Sequence, residues 1–241
     1  MKNLFTLSLI LVFTFSSYAQ WGKRIKGNGN VVTIERNTGD YDGVSVAGWF
    51  DVELVKGKEG NITLKGEENL LEYIITEVEN DRLVVKVEKG VNLKSSNWRN
   101  GISVTIPVEE ISDLSMSGSG DLTSSVVLDS DNLDIRMSGS GDCALEVQTK
   151  NLEVRLSGSG DLKFAGNTTN FDVTVSGSGD ISAYELEADN VKATVSGSAD
   201  IKVTANSAIE ARVSGSGDIT YKGNPSRVRT KSSGSGDVSK Y

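Results

Sequence analysis

The chain has 241 residues, 25 basic against 33 acidic side chains for a formal charge of −8, one cysteine and no histidine. Without histidine, Ser-His-Asp and Cys-His nucleophiles and His-ligated zinc are excluded, and a lone thiol closes no intramolecular disulfide. An acidic chain without a dense Lys/Arg run also argues against nucleic acid and anionic lipid as partners.

The first nineteen residues combine an early Lys2, an apolar run from Leu4 to Phe15 and a small-residue exit at Ser17-Tyr18-Ala19. This pattern predicts a signal peptide cleaved after Ala19, which takes away one lysine and no acid and leaves residues 20–241 with a charge of −9. No later apolar stretch approaches the length of about 20 residues that a membrane span needs. No cysteine adjoins the cut that could carry a lipid, so the expectation is an exported protein of the periplasm, outer surface or medium.

Residues 20–116 read as a less regular cap with worn repeats. Lys26-Gly27-Asn28-Gly29-Asn30-Val31 and Ala47-Gly48-Trp49-Phe50-Asp51-Val52 both fit the pattern x-Gly-x-Gly-Asx-apolar, the second with bulky substitutions. Between these and residue 117 the pattern predicts strands near 61–65 and 82–87, a helical turn at 67–71, a polar loop over 91–100 and a strand at 102–106 that stops at Pro107.

From Ser117 onward the pentapeptide SGSGD occurs six times and once as SGSAD, starting at Ser117, Ser138, Ser157, Ser176, Ser196, Ser214 and Ser233, with spacings of 21, 19, 19, 20, 18 and 19. Apolar residues alternate on both sides of it. In the second copy every other residue reads Leu133, Ile135, Met137, Gly139, Gly141, Cys143, Leu145, Val147, so a period of two runs through the glycines. That period means strand with one face buried.

Strands recurring every 19 residues or so leave no room for a crossover helix, so each period is one coil of a solenoid stacked about 4.8 Å from the next. The fold expected is all-β: a single-stranded parallel β-helix with coils of about 19 residues, right-handed, behind a less regular N-terminal cap. Glycine at the two inward positions is read as avoiding a collision with the opposite wall or a sharp bend and as permitting φ > 0, and Ala199 shows that the second of them holds a methyl group. The last inward row, Val228, Thr230, Ser232, suits a terminal coil facing water.

The order of motifs carries a resemblance. The Ala-Gln end of the leader, Gly-Asn-Gly-Asn-Val, "YDGVSVAGWFDVELVKG", "NITLKGEENLLEYIITEVENDRLVVKV" and the SGSGD coils together resemble the head GIN domain family of auto-transporter adhesin type from Bacteroidetes-type bacteria. The resemblance implies a parallel β-helix in an envelope or surface setting and supplies no catalytic residues.

Stacking the coils lines up two serine rows and an aspartate row: Asp121, Asp142, Asp161, Asp180, Asp200, Asp218 and Asp237. These acids are read first as bonding turn amides and only second as calcium ligands, because calcium-binding β-rolls use a nine-residue period. Trp49, in an outward slot of a worn copy, and Trp98, in SSNWRNG, are candidates for stacking on sugar, weighed against covering the cap's own apolar surface. Cys143 fills an inward slot and reads as an inert thiol. Coils without insertions lack the loops that build β-helix enzyme grooves, so a noncatalytic binding or adhesion module for glycan or protein is expected, with no cofactor and no metal. A β-helix carbohydrate-active enzyme and a self-stacking structural module are the alternatives. The basic residues Arg227, Arg229 and Lys231 mark a surface where a partner could sit.

Overall fold

The computed structural model describes residues 22–241; the signal-peptide reading lies outside the described residues. In chain order the elements are β1 (Lys23–Lys26), β2 (Val31–Gly39), β3 (Gly43–Gly48), β4 (Asp51–Lys56), β5 (Gly60–Glu67), the short helix α1 (Glu68–Leu71), β6 (Ile74–Glu79), β7 (Arg82–Val87), β8 (Val91–Lys94) and β9 (Ser103–Val108). They continue as β10 (Asp113–Gly118), β11 (Leu122–Gly139), β12 (Cys143–Gly158), β13 (Leu162–Gly177), β14 (Ile181–Gly197), β15 (Ile201–Gly215), β16 (Ile219–Lys222), β17 (Arg227–Gly234) and β18 (Val238–Lys240).

From β10 to β18 every pairing is parallel and joins neighbouring coils, with partners such as Leu152↔Phe171 and Val154↔Val173 one period apart. The chain is therefore a parallel β-solenoid of about seven turns with coils of about 19 residues. A single coil shows how the sequence builds it. In β12, Cys143, Leu145, Val147 and Thr149 are buried; then Lys150 and Asn151 are both exposed, and burial resumes at Leu152, Val154 and Leu156. Two consecutive outward residues shift the phase of a period-two pattern by one, which bends the strand into a corner and keeps both runs facing one interior. Inside, like stacks on like: Leu145 over Phe164, and Phe164 edge-on to Phe171 with centroids 6.3 Å apart. Each such apolar side chain contributes roughly 1.5–3 kcal/mol by burial.

The turn that closes each coil is the Ser-Gly-Asp of the motif, and the first glycine of each copy has the expected positive φ, while the steric reason differs from the expected one. A Cβ on Gly158 would lie 1.9 Å from the carbonyl oxygen of Gly139, one coil below, and Gly158 has φ +147°. The obstacle is the backbone of the adjacent coil, not the opposite wall.

The second worn copy is a genuine member of the stack. Ala47 and Gly48 pair with Ser117 and Gly118, and Leu122 pairs with Val52. The first is not. Gly27–Asn30 forms a loop, and Val31 then enters β2, which runs antiparallel to β5. The helical turn falls where expected, and β5 and β7 cover the two expected strands. The expected polar loop at 91–100 is instead strand at its start, since β8 pairs in parallel with β1. The strand expected to stop at Pro107 continues to Val108, pairing Pro107 with Val55 of β4 while Tyr41 donates its hydroxyl to the Pro107 carbonyl at 2.7 Å. At the far end, all eight residues of β17 are exposed. Among the described residues no helix is long and apolar enough to cross a membrane.

Candidate functional site

The aspartate row forms a ladder along the solenoid. Each backbone N–H donates to Oδ1 of the aspartate one coil earlier: Asp142 to Asp121, Asp161 to Asp142, Asp180 to Asp161, Asp200 to Asp180, Asp218 to Asp200 and Asp237 to Asp218, at 2.8 to 3.1 Å. Asp121 donates in the same way to Asp51 at 3.3 Å, so Asp51 of the worn copy heads the row. One carboxylate oxygen per residue thus satisfies a main-chain donor that the turn leaves free. The flanking serine rows, Ser138 and Ser140 for example, are exposed throughout.

The two tryptophans part company. Trp49 is half-buried and packs on the core beside Phe50, with centroids 5.9 Å apart. Trp98 is 86% exposed with the Arg99 guanidinium 4.8 Å from its ring, so it covers no apolar surface of the cap. Cys143 is buried, and burial, with the Asp142 charge adding to it, pushes its thiol pKa up. Such a thiol is inert.

Gly-Asn-Gly-Asn turns out to be a cradle for a buried carboxylate. Glu67, at the end of β5, accepts from the Gly29 amide at 2.6 Å and the Ser96 amide at 2.7 Å. A Cβ on Gly27 would lie 2.0 Å from its carboxylate oxygen. Burial alone would raise this group's pKa, but the Ser96 and Gly29 amides, with the Ser96 and Asn100 side chains, hold it below the ordinary carboxylate value.

A further row escaped the sequence reading. At the coil corner Asn132, Asn151, Asn170 and Asn190 stack, each donating Nδ2 to the Oδ1 of the one before, at 2.8, 2.8 and 3.1 Å. Their spacing of 19, 19 and 20 was a visible signal, hidden because asparagine at a corner interrupts the apolar alternation being followed. Along this ladder lie three depressions of about 300, 370 and 310 Å³; the first two share Ser112 and Asn132, the last two Asn170 and Asp172. Together they make one furrow running across the strands. Its wall starts acidic, with Asp42, Glu110, Asp134 and Glu153, and ends basic, with Lys192, Arg227 and Arg229.

The outward face beside the furrow is a lattice of ion pairs. Asp113 contacts Arg82 at 2.9 Å and Arg136 at 2.8 Å, Arg136 and Arg155 both reach Asp134, Arg155 also reaches Glu153, Lys192 pairs with Asp172 at 2.7 Å and Arg212 with Glu210 at 2.6 Å. These exposed pairs are worth little singly; they match Asp134, Glu153, Asp172 and Glu210 with cations and leave Asp42 and Glu110 at one end, and Arg227 and Arg229 at the other, without an ion-pair partner among the described residues.

A long parallel solenoid with stacked rows of amides, hydroxyls and carboxylates defines a repeat scaffold. The family described as "Putative auto-transporter adhesin, head GIN domain" matches residues 40–225, and the chain belongs to it. Among solved structures, it is similar to a putative adhesin from Bacteroides fragilis at 24% identity, covering 90% of this chain and 100% of that one with a TM-score of 0.85. A putative lipid binding protein from Parabacteroides distasonis is 28% identical, with coverage of 91% and 100% and a TM-score of 0.75. A putative adhesin from the same species is 21% identical, with the same coverages and a TM-score of 0.74. A comparison with curated proteins finds no match.

Proposed function

We propose that the chain is an exported, noncatalytic adhesion module that holds a glycan of the cell envelope, or a protein carrying one, along its side faces. The observation that carries this reading is the uninterrupted furrow with its asparagine ladder. The inner amides, Asn151 and Asn170, each spend one donor and one acceptor on their neighbours and keep a second N–H and a second lone pair, and the end members Asn132 and Asn190 spend one group each. A polymer laid along the axis would meet the same weak polar contact once per coil, and such contacts add through effective concentration. The strand backbone is already paired from coil to coil, so the furrow offers side-chain groups rather than a sheet edge. Family membership supports an adhesion role at an exported site. In the aspartate row the engaged Oδ1 atoms favour a part in closing turns over one in holding calcium, and of Trp49 and Trp98 it is Trp98 whose ring is exposed for stacking on a sugar.

The test is binding of residues 20–241 to a broad panel of linear and branched glycans, run in calcium and in EDTA, with lipid vesicles as a comparison arm because one relative is described as lipid binding. Saturable binding to one glycan class that survives EDTA is expected. Silence across the panel would sink the glycan reading, and loss in EDTA would return the aspartate row to candidacy as an ion site.

A further inference from the structure

The asparagine ladder stops for a definite reason. The register that stacks Asn170 on Asn190 next pairs Asn190 with Ala208 and then Ala208 with Arg227. A methyl group replaces the amide, so Asn190 Oδ1 has no ladder neighbour to bond. The space this opens is the 310 Å³ end of the furrow, floored by the buried Phe171, Val191 and Ile209.

The charges facing that space do not cancel. Lys192 is paired with Asp172, and Glu210 with Arg212. Arg227 and Arg229 line the same space and make no ion pair among the described residues, whereas Arg82, Arg136, Arg155 and Arg212 each have a carboxylate partner. Two guanidiniums without an ion-pair partner, with the nearest acid, Glu210 beside Arg229 in register, already held by Arg212, thus face an unmet amide acceptor over an apolar floor. Guanidinium forks match carboxylate oxygens, an amide oxygen accepts from a hydroxyl, and an apolar floor suits the C–H face of a ring.

We infer that this end of the furrow is a subsite for a carboxylate-bearing sugar: the acid group on Arg227 and Arg229, a ring hydroxyl donating to Asn190 Oδ1. The inference rests on the glycan reading above and specifies its chemistry. An acidic peptide fits less well, because the furrow crosses the strands and offers no free backbone ladder.

The probe is an oligogalacturonate, with its carboxyl-reduced counterpart as the neutral control, titrated against the wild-type chain, Arg227→Gln/Arg229→Gln, Asn190→Ala and Lys202→Gln, the last an exposed lysine away from the furrow. Thermal melting confirms that each variant is folded. The subsite predicts binding to the acidic oligomer alone, weakened roughly tenfold or more in the double arginine variant, as expected for lost charge-assisted bonds, several-fold in Asn190→Ala, and unchanged in Lys202→Gln. Equal binding of the reduced oligomer, an unaffected arginine variant, or anionic vesicles binding in place of the sugar with the same arginine dependence would each overturn the assignment. Strong binding of a neutral glycan untouched by these substitutions would overturn the subsite and leave the adhesion reading standing. Silence of both oligomers and of the wider panel would remove both.

Discussion

Replacing Gly158 by alanine tests how the coils are spaced. Gly158 sits at φ +147°, where a non-glycine residue costs about 1–3 kcal/mol. The new Cβ would also lie 1.9 Å from the Gly139 carbonyl oxygen, which accepts the Ser159 amide at 2.8 Å. Relieving the contact stretches that bond, worth about 1 kcal/mol. Together the loss is about 2–4 kcal/mol, or a fall in Tm of roughly 10 °C for a chain of this size. Gly160 is the internal control. Its Cβ would meet the Gly141 carbonyl oxygen at the same 1.9 Å, but it lies outside the positive-φ set, and the equivalent slot two coils further on is filled by the fully buried Ala199. Gly160→Ala should cost about 1 kcal/mol through local overpacking. Melting followed by circular dichroism reads both. A Gly158→Ala protein within a degree or two of wild type, or one more stable than Gly160→Ala, would refute the reasoning.

The aspartate ladder makes its own prediction. Asp161→Ala with Asp180→Ala removes the acceptors of the Asp180 and Asp200 amides, costing about 1 kcal/mol each, partly offset by relief of like-charge repulsion of similar size before salt screening; the paired asparagine variant keeps the acceptors, so its Tm should exceed that of the alanine pair, and equal values would deny the ladder any role. Glu67 has a folded pKa below its ordinary value, so its contribution to the cap is complete above the unfolded value of about 4.5 and is lost as pH falls through the lower folded value. Hydrogen exchange at Gly29 and Ser96, corrected for intrinsic rates, should therefore accelerate only in acid in the wild type and at every pH in Glu67→Ala. Cys143 should ignore an aromatic disulfide reagent at pH 8 in the folded protein and react fully in denaturant; rapid labelling of the native chain would contradict its burial.

The solenoid was legible because its signal is carried twice, by the apolar alternation through Leu133–Val147 and by the recurrence of SGSGD, and the two agree in phase. The cap was less so. Gly-Asn-Gly-Asn obeys the same local pattern as a coil but is shaped by a carboxylate 38 residues away, at Glu67, and no local periodicity encodes such a contact. The lower obstacle to each glycine, a carbonyl one coil below, is equally nonlocal. For the site, the sequence placed the aspartates and serines in rows but missed Asp51 as the first rung, the asparagine ladder and the furrow. A furrow depends on where the coil corner falls, which the two outward residues Lys150 and Asn151 determine.

The most direct measurement is affinity against ligand length: calorimetry of residues 20–241 with a graded series of oligosaccharides that carry one terminal uronate followed by neutral sugars, each recovered afterwards and weighed by mass spectrometry. An extended noncatalytic adhesion surface predicts affinity that climbs with chain length and levels off once the ligand spans the furrow, on the order of 20–30 Å for the stacked coils, with every oligomer recovered intact. Affinity indifferent to length, or oligomers returned shorter than they went in, would contradict it.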